Sequence, residues 1–402
     1  MTDRAPQSHL LPARPRPALI AVWGVMAALN LAAGVVIASW PDRQADLETM
    51  TEWGRDWLLL GLHVYGPAEE DPADYPPHAI VLLSLLALLP DGWKVPLWAG
   101  LNLALVIGAA CLAVRTVRPD IGRMESALPV LILLCWGGLR ALLQFSLLAL
   151  VFGLLAVVLA DRRPVWSGLC LGMGLMKPQM AAPIFLWALF TRRFRVAGIA
   201  IAPIALGFGL VCARTGMTPD ALAKDYLATL AGLYMGEATM IGLAELRPLI
   251  RLTTSNHALV DLIASILALA LLAFVCALGL KEGRTTRTLL YSAPGLAGLW
   301  SLMTFYHLTY GFILLLPLGA LLLFDDNPQT FFFRRRVFWA MQAALMFDVP
   351  GLWWRFGHLV SAPPVVGDLT IHVDRFVMLG LFVCVAVLAV KRQGSGVAAR
   401  AD

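Results

Sequence analysis

The chain is poor in charge. Asp, Glu, Lys and Arg make up 14% of its 402 residues, where soluble domains carry roughly 25%. That deficit excludes a domain bathed in water on all sides. Cysteine is scarce, and its placement excludes more than its number does. Cys111, Cys135, Cys170, Cys212, Cys276 and Cys384 all lie in apolar segments, and no two form a Cys-x-x-Cys pair. They read as small buried apolar side chains, not as a disulfide framework or metal ligands. Zinc-finger spacing, a P-loop and a nucleotide-binding glycine fingerprint are missing, and no second histidine stands at ligand spacing from His307. No repeat is present, and low complexity is confined to the termini. The net charge of +5 resides in short basic clusters beside apolar runs, which points to membrane loops and away from nucleic acid.

What is present is apolar length: 59% of the residues are hydrophobic, in runs near the ~20 residues that cross a bilayer. The expected fold is an all-α polytopic membrane protein of about 11–13 transmembrane helices. The candidate spans are 18–40, 78–90, 94–114, 126–139, 141–160, 166–190, 196–213, 257–280, 288–304, 308–324, 336–352 and 374–391. The first outruns a signal-peptide core of about 7–15 residues and reads as an uncleaved span. Residues 1–17 form a basic cytoplasmic arm, 18–391 one membrane domain and 392–402 a cytoplasmic tail.

Lys and Arg set the orientation. The N-terminal arm, Thr191–Arg195, Lys281–Arg287, Arg334–Arg336 and Lys391–Gln393 fall on one side, taken as cytoplasmic. Arg115, Arg118, Arg123, Arg162 and Arg163 then face outward. Either some middle segments are re-entrant half-helices, or those arginines bind an anion outside. The outer segments are 41–77, 214–256 and 353–373. In the first, Leu47, Met50, Trp53, Trp57, Leu58 and Leu60 approximate a helical stripe, with Asp46, Glu48, Glu52 and Arg55 largely elsewhere. This predicts a helix lying along the outer interface.

Polar groups within or beside spans are candidate functional groups. Asp46 and Glu48 follow the first span, and a carboxylate near a dry interface can serve as a general base. Tyr75 and His78 flank a double proline that sets where the second span begins. Arg140, Gln144 and Ser146 are expected on or near one helical face. Lys177-Pro178-Gln179 interrupts an apolar run, which predicts a broken helix lining a cavity. Tyr306 and His307 lie between two apolar runs at the outer boundary.

These pieces, in this order, resemble the polytopic glycosyltransferases of family 87 (the DUF2029 type), within the membrane glycosyltransferases of C-type fold. The resemblance rests on Asp46 after the first span, Gly61 to Tyr65, Tyr75-Pro76-Pro77, Gln144, Lys177-Pro178 with the arginine cluster that follows, and the segment around His307. Phe145-Ser146 follows Gln144 where the family usually has Asn. Met303-Thr304 occupies the area of a Ser-Pro, and Met50 stands where a Tyr is frequent. The resemblance implies inverting transfer of a sugar, mannose among the candidates, from a polyprenyl phosphate donor to a glycolipid or envelope glycan hydroxyl. It places the active site on the outer face of the cytoplasmic membrane. Asp46 and His307 become catalytic candidates. Glu48, Tyr75, Arg140, Gln144, Lys177, Gln179 and Tyr306 become substrate-binding candidates. No cofactor is implied; a monophosphate carries limited charge, so a divalent metal is not required, though not excluded. The competing readings are a transporter or flippase of lipid-linked or small polar substrates, and a non-catalytic envelope assembly protein.

Overall fold

The computed structural model describes residues 16–41, 44–66, 71–235, 245–282, 295–305, 309–324, 330–347 and 373–398. Among them the chain is all α-helix and turn, with no strand. Four helices are long and apolar enough to cross a bilayer: Pro17–Ala38, Asp91–Val117, Phe194–Thr215 and the stretch His257–Leu278. Shorter apolar helices fill the space between them. The protein is an all-α polytopic membrane protein.

The interfacial helix is present. After α1 (Pro17–Ala38), α2 (Ala45–Arg55) buries Leu47, Met50, Thr51, Trp53 and Gly54 and exposes Asp46, Glu48, Glu52 and Arg55. A π-helical turn, Asp56–Leu60, ends it at Gly61, whose φ of 70° lies in the left-handed region that glycine tolerates. Arg214 closes this end by donating to the carbonyls of Leu58 and Leu59.

Two of the expected spans are not single crossings. The first is 78–90. Helix α3 (Pro77–Ala87) packs on α2 so tightly that a Cβ on Gly54 would stand 2.8 Å from the backbone of Ser84. The next helix, α4 (Asp91–Val117), begins on the Asp46 face: Asp91 feels the charge of Arg55, and Trp98 donates to the Leu143 carbonyl at 3.1 Å. Residues 39–90 therefore leave and rejoin the same face, and α4, about 40 Å long, makes the crossing.

The second is 166–190. Here α6 (Ser146–Leu159) is followed by α7 (Pro164–Gly174), α8 (Pro178–Phe190) and α9 (Phe194–Thr215). Ser167 donates to the Ala156 carbonyl, and Gly174 lies against Ala149, so α7 runs antiparallel to α6. Gly168 meets Val196 and Ile199 while Gly172 meets Ala200 and Pro203, so α9 runs parallel to α7. Arg193, past the end of α8, pairs with Asp161, before the start of α7, at 2.6 Å. In one continuous helix these two residues would stand about 48 Å apart. α7 and α8 are thus a re-entrant hairpin whose tip is Leu175–Lys177. The physical cause is local. Lys177 takes a non-helical backbone (φ −126°, ψ 86°), and Pro178 occupies the first turn of α8, where its missing N–H costs nothing.

This topology settles the arginine problem in favour of re-entrance. Contacts between α1 and the segment 131–140 climb in register, Gly24 with Leu131, Asn30 with Leu134 and Trp136, and Gly34 with Arg140. Helix α5 (Arg123–Leu133) therefore starts on the face where α1 starts. Arg115, Arg118 and Arg123 join Arg162, Arg163, Arg192, Arg193 and Arg195 there, opposite Asp46. The guanidinium of Arg118 sits over Phe324, 5.6 Å from its ring centre.

Further along the chain lie α10 (Pro219–Met235), α11 (Arg247–Arg251), α12 (His257–Glu282), α13 (Gly298–Thr304), α14 (Leu316–Phe324), α15 (Phe331–Phe347) and α16 (Val373–Ala398). Of the outer segments, 353–372 lies outside the described residues.

Candidate functional site

The site gathers where α2, the loop after it, the turn before α6 and the tip of the hairpin meet. Four short contacts hold the loop. Trp53 donates its indole N–H to the Asp71 carbonyl at 2.8 Å. The Ala73 amide donates to the Val64 carbonyl at 2.8 Å. The Tyr65 hydroxyl donates to the Tyr75 carbonyl at 2.9 Å. The Gly66 amide donates to Thr229 of α10 at 2.9 Å. His63 adds a side-chain tie to α10, its Nε2 3.0 Å from Asp225. These fix the backbone on both sides of Asp74 and Tyr75.

Lys177 is 6% exposed. Its ammonium donates to the Tyr75 hydroxyl at 3.3 Å and lies 5.5 Å from the centre of the Tyr75 ring. Two carboxylates act on it electrostatically, Asp74 and Asp46. Asp46, exposed on the first turn of α2, accepts a hydrogen bond from the Gln144 side chain. The sequence thus delivers three of its expected residues, Asp46, Tyr75 and Lys177, to one place, with Gln144 holding the first. Glu48 follows two positions later on α2, about 200° round the helix from Asp46, and is exposed. The Gln179 carbonyl accepts from Ser301 at 2.5 Å, which ties the first turn of α8 to α13. Tyr306 and His307 lie outside the described residues.

Arg140, Gln144 and Ser146 do not share a helical face. Arg140 ends a 3-10 turn, Gly137–Arg140; the next five residues are not helical, and Ser146 opens α6. Unwinding here exposes carbonyls that must find donors in an apolar interior. Asn30 of α1 donates to those of Leu134 and Trp136 at 2.8 and 3.0 Å, and Gln342 of α15 donates to that of Ile132 at 3.0 Å. Arg140 is committed to the same bracket: it donates to Asn30 Oδ1 at 2.7 Å and to the Met346 carbonyl at 3.3 Å. The bracket sets the turn from which Gln144 reaches Asp46. His78 is buried in the first turn of α3, against Gly207 of α9.

Sequence reasoning missed Asp74. It is partly buried, and its Oδ1 is shielded from solvent without a hydrogen-bond partner. Burial raises its carboxyl above the ordinary range despite the opposing pull of Lys177, and Asp46 and Asp71 raise it further. Its signal was adjacency to Tyr75-Pro76-Pro77, where a carboxylate is carried inward. Asn30 and Gln342 were missed as well, while Tyr65 had been picked out only as part of the Gly61–Tyr65 element. Among the described residues no group of three or more His, Cys, Asp or Glu could hold a metal ion.

An α-helical membrane protein that assembles two carboxylates around one sheltered ammonium, at one face and across four segments, has a built polar site. The sequence profile of glycosyltransferase family 87 matches residues 74–304, more than half of the chain. The chain belongs to that family and is a membrane glycosyltransferase. The matched region includes Asp74, Tyr75, Arg140, Gln144, Lys177 and Gln179; Asp46, Glu48, Tyr306 and His307 fall outside it. No curated protein and no solved structure matches the chain.

Proposed function

We propose that the chain transfers a sugar from a polyprenyl phosphate donor to a glycolipid or envelope glycan hydroxyl, with inversion, on the outer face of the cytoplasmic membrane. The observation that carries this reading is the placement of Asp46 beside Gln144 and of Lys177 beside Tyr75 in one cluster. The arginines on the opposite face support the orientation, since basic residues are retained on the cytoplasmic side.

The acceptor oxygen attacks the anomeric carbon as the bond from that carbon to the phosphate oxygen breaks, its electron pair leaving with the phosphate. The acceptor proton passes to the Asp46 carboxylate, which Gln144 orients. Positive charge develops on the sugar ring, as in glycoside hydrolysis. Negative charge grows on the departing polyprenyl phosphate, and Lys177 neutralises it in a site of low dielectric. His307 and Tyr306 are assigned to the phosphate by the family resemblance, Gln179 follows Lys177 at the start of α8, and Arg140 contributes indirectly by bracing the turn that carries Gln144.

The test is transfer of radiolabelled sugar from a panel of polyprenyl phosphate sugars, using membranes that contain the chain. One donor is expected to give labelled lipid or glycan product, and Asp46→Asn is expected to abolish it. Absence of transfer from every donor, or wild-type turnover by Asp46→Asn, refutes the reading.

A further inference from the structure

The charge count of the cluster is unusual for a site that must accept an anion. Among the described residues Asp46 and Asp74 can supply two negative charges and Lys177 one positive. A phosphodiester adds another negative charge. With both carboxylates ionised, the lysine would be outnumbered three to one in a sheltered space, where like charges repel strongly. Asp46 has to stay ionised to receive the acceptor proton. Asp74 is the group free to change.

We propose that Asp74 binds the donor as a neutral carboxylic acid, its O–H directed at the lipid phosphate beside Lys177. This deepens the proposed function and rests on it. The geometry favours Asp74 in three ways. Its backbone is pinned by the Ala73–Val64 and Tyr65–Tyr75 hydrogen bonds. Its Oδ1 is shielded and lacks a partner among the described residues, so it is open to a ligand group. Its chain neighbour Tyr75 bonds the Lys177 ammonium, on which Asp74 and Asp46 both act electrostatically. Among the described residues the charged and titratable groups acting on it are Lys177 at the start of α8, Asp46 on α2, and Asp71 and Tyr65 in its own loop. Burial already moves its titration upward in the free protein. An arriving anion moves it further the same way, since a like charge disfavours the ionised form.

The sign follows. Below the titration of Asp74 the acid is neutral and the donor binds well. As the pH rises through it, the carboxylate forms and the anion is repelled. Affinity then falls by about tenfold per pH unit until the group is ionised in both free and bound protein.

The experiment uses the full chain in lipid nanodiscs and a short polyprenyl methyl phosphate. This diester carries one negative charge at every pH used. Binding is measured from about pH 5, above the ordinary Asp titration, to about pH 7, where Lys177 still carries its charge. The wild type is expected to lose tenfold or more in affinity across that span. Asp74→Asn, neutral throughout and still a donor, is expected to hold the wild type's low-pH affinity with a nearly flat profile. Asp74→Leu is expected to bind weakly at every pH. Parallel profiles for the wild type and Asp74→Asn overturn the proposal, as does an Asp74→Asn variant that is weak at low pH while monodisperse. Wild-type binding abolished by a chelator and restored by magnesium puts a cation between the carboxylates and overturns it too. If the wild type binds the diester at no pH, the donor class itself is wrong, and both readings fall together.

Discussion

The re-entrant hairpin makes a prediction that depends on no assumption about substrate. A single span over 166–190 would put Asp161 and Arg193 on opposite leaflets. The hairpin puts them on one, with Asp161 Oδ1 and an Arg193 guanidinium nitrogen 2.6 Å apart. Adding the reach of the two side chains, the backbones stand within about 12 Å of each other, against about 48 Å for a continuous helix. A pair of cysteines at these positions, in a background with the six native cysteines replaced, discriminates the two topologies without ambiguity. The spacing is too wide for a direct disulfide, so a short bismaleimide is the reagent.

The pair should cross-link in intact membranes in high yield, read as a shift after cleavage at a protease site placed between them. Each single cysteine should be labelled by a membrane-impermeant maleimide from the same side. The salt bridge contributes little to stability, about 0–1 kcal/mol with Asp161 largely exposed, and the contact of Arg193 with the Trp187 ring adds a comparable amount. Labelling from opposite sides, with no cross-link, would refute the hairpin. It would also remove the explanation for the position of Lys177 and for the arginines at the opposite face.

Other expectations concern the cluster and its supports. Lys177→Met should lower kcat/KM at least ~100-fold in the transfer assay, as removal of one preorganised charge-stabilising donor does elsewhere; unchanged turnover would disconnect the lysine from the chemistry. Tyr75→Phe removes the hydroxyl that Lys177 contacts and keeps the ring beneath it. It should raise the donor KM about five- to tenfold, roughly 1 kcal/mol, and Tyr75→Leu should do more. Gly207→Ala would set a Cβ 2.3 Å from His78 Cα and Cβ, so α3 must move off α9. The variant should lose stability by about 1–3 kcal/mol or more, visible as a lower melting temperature in detergent. Asn30→Leu removes a donor from the Leu134 and Trp136 carbonyls and an acceptor from Arg140, which keeps the Met346 carbonyl; it should destabilise the fold by about 1–3 kcal/mol and, where protein survives, weaken the Gln144–Asp46 contact and slow turnover.

Part of this was legible in the sequence. The stripe identified the interfacial helix because amphipathic spacing is a local property: Leu47, Met50, Trp53 and Trp57 are buried, whereas Leu58 is only half-buried and Leu60 is exposed, because the π-helical turn breaks the period. Lys177-Pro178 identified a break for the same reason: a proline dictates what its own turn can do. The direction taken by the chain after the break was not legible. The apolar runs of α7 and α8 look alike whether the second continues the first or returns beside it, and that choice is made by packing. Gly168 and Gly172 let α9 approach closely, and Gly174 seats the tip against α6. Asp74 was hidden for a related reason. It follows Asp71 in a polar stretch, and only the ties from Tyr65, Val64 and Trp53 carry it into the cluster. Asn30 and Gln342 look like isolated polar residues in spans until the unwound carbonyls they serve are seen across the bundle.

The hairpin also bears on why a lysine is tolerated here at all. A charged side chain at the centre of a spanning helix costs about 2.5–3.5 kcal/mol on insertion scales, and much more without relief. A spanning helix gives the ammonium only its own backbone, whose carbonyls are already used. A hairpin tip frees the chain from that constraint: Lys177 is not in helical conformation, reaches the Tyr75 hydroxyl and lies in the field of two carboxylates. Those same carboxylates would make a poor anion site if both stayed ionised, so the arrangement that shelters the lysine opposes its work. Protonation of one partner resolves the conflict, because a neutral Asp74 releases Lys177 for the phosphate while Asp46 remains available to the acceptor.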